Sequence, residues 1–218
     1  MPKKRGVAVA RIDDYKASFR LASIELEKRD AATLAKVAGA EFFPGEGLIV
    51  PFLGTNYIVR IHPQLGICKQ NSNDEVPLPD GILIAHYLLG ASGKIRTGKL
   101  ITFRHIRDGQ FYFEAFQKRA RDPFVNFYGN NGKLFEKCAI IMGALPVENG
   151  DLGMEFAVFP HICVRLVLWN GDEEFPPDGT ILFDESIQRN LSAEDIAVMS
   201  GSLVYRLIGL GRKIQLEA

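Results

Sequence analysis

Cysteine is scarce in this chain. Cys68, Cys138 and Cys163 are the only three in 218 residues, and they lie far apart with no CxxC pair. That spacing argues against a disulfide framework and supplies no ligand set for an iron–sulfur cluster or a cysteine zinc site from this chain alone. Net charge is missing as well, because 26 Lys and Arg balance 26 Asp and Glu. Phosphate backbones are bound by clustered basic side chains, so no nucleic-acid partner is expected. Lys3-Lys4-Arg5 reads as a short solvated tail. No run approaches the roughly 18 apolar residues that a membrane span requires, and residues 1–20 carry too many charges for the apolar segment of a secretory signal. A reducing cytoplasm, with no membrane association, is the expectation.

What is present is ordinary globular composition, 47% apolar and 24% charged. The length suffices for one sizeable core, either as a single domain over 1–218 or as two closely packed halves divided near 145–153. Tyr15, Phe19, Ala22 and Leu26 recur at three- and four-residue steps, which predicts an amphipathic helix over about 13–28. Asp30 reads as an N-cap of a short second helix that stops at Gly39. Residues 48–53 and 57–61 flank Gly54-Thr55-Asn56 as a hairpin, and 65–68 adds a strand. The apolar run Ile82 to Leu89 reads as a short helix between Gly81 and Gly90. Further strands are expected at 100–103, 154–158, 164–169 and 180–183. Asp122-Pro123 opens a helix, Pro being tolerated in a first turn. Ser192 with Asp195 has the form of a capping box, opening a last helix that ends near Gly209 and docks on the strand of Trp169, the core anchor. The fold class that follows is α+β, an antiparallel sheet built from hairpins with helices packed against it.

Few groups stand out as carriers of chemistry. Asp172, Glu173 and Glu174, with Asp178 and Asp184 downstream, are the densest carboxylates. Hard divalent cations take such oxygen ligands, yet the spacing fits no EF-hand, and a solvated hairpin tip explains the turn equally simply. His161 and Cys163, two residues apart on one strand face, can point at one ligand or form a buried structural pair. Phe111, Tyr112, Phe113 and Phe116 read as core in preference to a stacking platform, although Lys118, Arg119 and Arg121 are close by. Gly129-Asn130-Asn131-Gly132 lacks the pattern of a phosphate loop. The absence of GxSxG leaves nucleophilic catalysis without support.

The blocks WNGDEEFPPDGTILFD and LSAEDIAVMSGSLVYRL resemble an uncharacterised bacterial and archaeal family, the domain-of-unknown-function family numbered 3786. LIVPFLGTNYIV, ILIAHYLLGASG and LITFRHIRDGQFYFEAF resemble its other blocks, so the likeness spans most of the chain. The resemblance implies an accessory protein of anaerobic metabolism with a corrinoid or iron–sulfur protein as partner, in some members fused to a four-cysteine cluster module that this chain lacks. On that footing the leading expectation is a non-catalytic binding domain for a tetrapyrrole-like ligand (haem or corrinoid), with His161, Trp169, Phe111 and Phe113 as cofactor-binding residues. The alternatives are a divalent-metal enzyme using Asp172, Glu173, Glu174 and Asp184, and a protein–protein interaction module. Oligomeric state has no signature in the sequence.

Overall fold

Two antiparallel sheets follow from the runs of alternating inward and outward residues. The computed structural model describes residues 12–72, 74–93 and 96–217. The chain opens with α1 (Ile12–Leu26) and α2 (Ala31–Ala38), then lays down β1 (Glu41–Phe43), β2 (Gly47–Phe52), β3 (Thr55–Arg60) and β4 (Gly66–Lys69) as a four-stranded sheet in sequence order. Helix α3 (Leu78–Gly90) leads to β5 (Leu100–Thr102) and a helical stretch of α4 (Gly109–Phe116), a π-helical segment (Gln117–Arg121), α5 (Asp122–Tyr128) and α6 (Gly132–Ile141). The second sheet has the order β5-β9-β8-β7-β6, with β6 (Leu145–Val147), β7 (Leu152–Phe159), β8 (Ile162–Trp169) and β9 (Asp178–Asp184). A 3-10 turn (Glu185–Arg189) then leads into α7 (Ala193–Leu216). The class is α+β.

Several predicted starts and stops hold in detail. Asp30 caps α2 by accepting from the Thr33 amide at 2.8 Å, and Gly39 ends that helix at φ 65°. Ser192 accepts from the Asp195 amide while Asp195 accepts from Ser192, a complete capping box. The hairpin turn differs from the expected three-residue loop. It consists of Leu53 and Gly54 alone, both at positive φ (48° and 75°), as a two-residue primed turn requires. The Leu53 amide then donates to the Val158 carbonyl at 3.0 Å and joins one sheet to the other.

Two further expectations are corrected. Trp169 is not a core anchor: it is 40% exposed. Strand periodicity explains why, since Ile162, Val164, Leu166 and Leu168 occupy the buried face of β8 and Trp169 falls on the other. The last helix does not end near Gly209 but runs to Leu216, and it lies close against α3, α4, α6 and the π segment. Gly201 and Gly211 are what bring it close. A Cβ at 201 would meet the Arg119 carbonyl oxygen at 3.2 Å, and one at 211 would meet the Tyr128 hydroxyl at 2.7 Å. Asp122-Pro123 does open α5, as expected, though with no break from the helical stretch before it. Residues 109–128 stay helical throughout, and the widened turn absorbs the amide that Pro123 lacks, with the Asp122 amide reaching back five residues to Gln117.

One contiguous cluster of buried side chains joins both sheets and the helices. At its middle Phe159 is stacked between Tyr87 of α3 (centroids 4.2 Å apart) and Phe52 of β2 (4.6 Å). The Tyr87 hydroxyl donates to the Ala38 carbonyl at 2.7 Å, which fixes α3 against the end of α2. Replacing Phe159, 2% exposed, removes the middle ring of this stack. Phe159→Ala is expected to cost about 3–5 kcal/mol, read as a lower urea midpoint with little change in slope.

Candidate functional site

Helix α3 is apolar on nearly every side, and eight of its 13 residues are buried. His86 interrupts that run, so its ring needs partners. On one side Nδ1 lies 2.7 Å from Oδ1 of Asp195, in the first turn of α7. On the other, Nε2 lies 3.3 Å from the Ser18 hydroxyl of α1. The remaining oxygen of Asp195, Oδ2, accepts from the Ser192 hydroxyl at 2.6 Å and its amide at 3.2 Å. The capping box therefore sets the carboxylate, the carboxylate sets the imidazole, and the imidazole meets the serine.

The electrostatics follow from this geometry. The hydrogen bond to Asp195 raises the His86 pKa above its ordinary 6.5, partial burial opposes the rise, and the charges of Asp195 and Glu194 add to it. Burial alone would raise Asp195, but the bonds from His86 and Ser192 outweigh it and its pKa falls below 3.8. A charged pair is thus favoured over the range between them. The chain of groups borders a cavity of about 210 Å3 between α1, α3 and α7, with Pro79, Ile82, Leu83 and Val198 as apolar wall and Asp14 and Glu194 as carboxylates on its rim. A wider cavity of about 440 Å3 lies on the other flank of the same α7 turn, sharing Ser192 and Glu194 and bordered by Arg107, Phe111 and Tyr112.

The residues singled out from the sequence are dispersed. His161 precedes β8 and Trp169 ends it, so they stand at opposite ends of a strand about 23 Å long. The His161 ring rests against the end of α2, within 3.0 Å of where a Cβ on Gly39 would sit, and its buried Nε2 has no hydrogen-bond partner among the described residues. Phe111 is 84% exposed at the lip of the 440 Å3 cavity. Phe113 and Trp169 do share a shallow groove, beside Arg104, whose guanidinium sits 3.9 Å above the Phe113 ring. The cofactor-binding set therefore does not converge on one place. Cys163 faces Arg96, Glu155 and Arg165 and not the His161 ring.

The carboxylates are dispersed as well. Asp172 accepts from the amides of Glu174 and Phe175 (2.8 and 2.7 Å) and closes its own turn. Asp184 is 7% exposed and accepts from the amides of Thr97, Gly98 and Ser186. Those bonds overcome the effect of burial and hold its carboxyl well below the usual carboxylate range. Asp184 thus clamps the start of β5 and does not join Asp172, Glu173 and Glu174. Among the described residues no three His, Cys, Asp or Glu side chains group as metal ligands.

Ser18 and the pairing of His86 with Asp195 escaped the sequence reading. The available signal was a polar ring inside an apolar helical run, ILIAHYLLG, which demands a buried partner.

The pair has a pH signature. His86, raised on folding, contributes stability that is complete below pH 6.5 and is lost as pH rises through its folded pKa. Asp195, lowered on folding, contributes stability that is complete above pH 3.8 and is lost as pH falls through its folded pKa. The stability difference between wild type and Asp195→Asn should therefore be greatest between those two values, at about 1–3 kcal/mol, and shrink on either side. Urea titrations across roughly pH 3 to 9 check it; a pH-independent difference would contradict the pairing.

Among the described residues no helix is long and apolar enough to cross a membrane. No curated protein and no solved structure shows significant similarity to the chain. The family comparison does give a match, over residues 30–206, which takes in His86 and Asp195 and leaves Ser18 to its N-terminal side. By that match the chain belongs to the family described as Domain of unknown function (DUF3786).

Proposed function

We propose that the protein is a binding domain for a small organic ligand, and that its site is the 210 Å3 cavity between α1, α3 and the start of α7. The observation that carries this reading is the polar chain Ser18–His86–Asp195 opening onto that cavity. Polar groups that serve packing alone are ordinarily enclosed by their partners. Here the imidazole and the hydroxyl border open space beside an apolar wall, the mixture that ligand sites use for orientation and affinity. The volume lies below the roughly 300–1,000 Å3 of drug-sized sites, which favours a ligand of a few heavy atoms over a planar tetrapyrrole. Carboxylates on the rim favour a neutral or cationic head group over an anion. The three unbridged cysteines suit action in a reducing cytoplasm.

Three probes of one shape and different charge test this: isobutylamine, isobutyramide and isobutyrate. Amide NMR signals of α3 and the start of α7 should shift with the amine and the amide, and far less with the carboxylate. His86→Ala should remove the shifts by at least about tenfold in affinity, the loss of one charge-assisted hydrogen bond. No shift with any probe, or shifts confined to other surfaces, would sink the proposal.

A further inference from the structure

We infer that Ser18 is a nucleophile for acyl transfer, with His86 as its general base and Asp195 as the group that orients the imidazole. The inference rests on the cavity between α1, α3 and α7 being the ligand site, and adds a reaction to it. Its substrates are small uncharged or cationic esters with a short acyl chain.

The geometry supplies each role. Asp195 is held by the capping box and accepts from the Nδ1–H of His86 at 2.7 Å, which leaves Nε2 of the neutral ring as the acceptor. Nε2 faces the Ser18 hydroxyl at 3.3 Å, a spacing that suits a nucleophile and base without substrate. Ser18 and His86 are 68 residues apart and His86 and Asp195 are 109 apart, so tertiary packing of three helices assembles the set, not local chain geometry. Such a set is recognised by geometry and roles, whatever its order in the chain. The first turn of α7 lines the same cavity through Ser192 and Glu194. The Asp195 amide is taken by the Ser192 hydroxyl, which leaves the Ala193 and Glu194 amides of that turn, without an intrahelical carbonyl, as the donors an oxyanion would have to use.

The step balances without any co-reactant but water. Ser18 Oγ bonds to the acyl carbon as its proton passes to His86 Nε2, and the carbonyl oxygen takes the electron pair. Collapse breaks the ester C–O bond, and the departing alkoxide takes the proton from His86. Water then attacks the acyl-serine with His86 as base, releasing the carboxylic acid and restoring Ser18. The cavity volume and the apolar wall of Pro79, Ile82, Leu83 and Val198 limit the acyl chain to a few carbons. Asp14 and Glu194 on the rim disfavour anionic substrates.

The full chain treated with p-nitrophenyl acetate should release a burst of nitrophenolate and gain one acetyl group, located on Ser18 by peptide mass spectrometry. Ser18→Ala should abolish the adduct while keeping the melting temperature near that of wild type, and His86→Gln, checked as folded by circular dichroism, should slow acylation about 100-fold or more. Ser23→Ala, elsewhere on α1, should acylate as wild type does. The acylation rate should climb as pH rises through the His86 pKa. The groups facing that ring are Asp195 and Glu194 from α7 and Asp14 and Tyr15 from α1, and Asp195→Asn should shift the profile to lower pH. Acetylation absent from wild type, or undiminished in Ser18→Ala, overturns the inference. If isobutyramide still shifts the α3 signals in that case, the binding reading stands while the nucleophile falls. If neither is seen, both fall.

Discussion

The position of α3 governs the rest of the molecule, and the Tyr87 ring governs α3. Stacked at 4.2 Å on Phe159 and bonded through its hydroxyl to the Ala38 carbonyl, Tyr87 ties this helix to β7 and to the end of α2. Burial pushes its phenol pKa up, so the ring stays neutral and its proton stays on the bond. At the C-terminal end Gly90 has no room for a side chain, since a Cβ would sit 2.1 Å from the Asn190 carbonyl oxygen. At the N-terminal end Asp80 pairs with Arg206 of α7 at 2.6 Å, and the same guanidinium lies over the Phe52 ring. A helix held at both ends and on one face has no freedom to rotate. His86, one residue before Tyr87, is therefore delivered to α1 and α7 in a single pose.

That rigidity bears on the chemistry of the cavity. A buried polar network stabilises only when its members are satisfied together, and a half-satisfied one costs more than an apolar core. Here the weakest link is the outermost, Ser18 to His86 at 3.3 Å, while the inner link to Asp195 is 2.7 Å. The strength falls toward the open space, which leaves the hydroxyl as the most replaceable partner of the ring. A ligand that bonds to His86 then displaces a weak contact and leaves the strong one intact. Pre-organisation of that kind lowers the cost of binding.

Much of the fold was legible because it depends on local rules. Asp30, Gly39 and the Ser192–Asp195 box act through backbone atoms a few residues away, so composition and spacing reveal them. Seven of the nine strands of the described residues were likewise plain, while the three-residue edge strands β1 and β6 were too short to carry an alternation. What stayed hidden depends on which face a residue occupies after packing. Trp169 looked like an anchor by residue type, yet its register on β8 turns it outward. Gly201 lies inside the last helix, and only the nearness of the Arg119 carbonyl shows it to be a contact point. The acidic turn drew attention by density, while Asp172 serves its own turn and Asp184 clamps Thr97 and Gly98. Ser18, His86 and Asp195 share no spacing signal at all, since three separate helices bring them together.

The same reasoning separates the two polar links between α3 and α7. Asp80 and Arg206 form a charged pair whose carboxylate is almost fully enclosed, at 9% exposure, and no ligand-sized opening adjoins it in the cavity around His86. Its guanidinium is spent on Asp80 and on the Phe52 face, so its effect is on packing and helix orientation. His86 and Asp195 span the same two helices, but the imidazole is 28% exposed and has a second nitrogen turned toward α1 and the cavity. A link made only for cohesion would gain nothing from a ring that bears a second nitrogen with a weak partner. The difference between the pairs lies in access, and access is what distinguishes a site from a rivet.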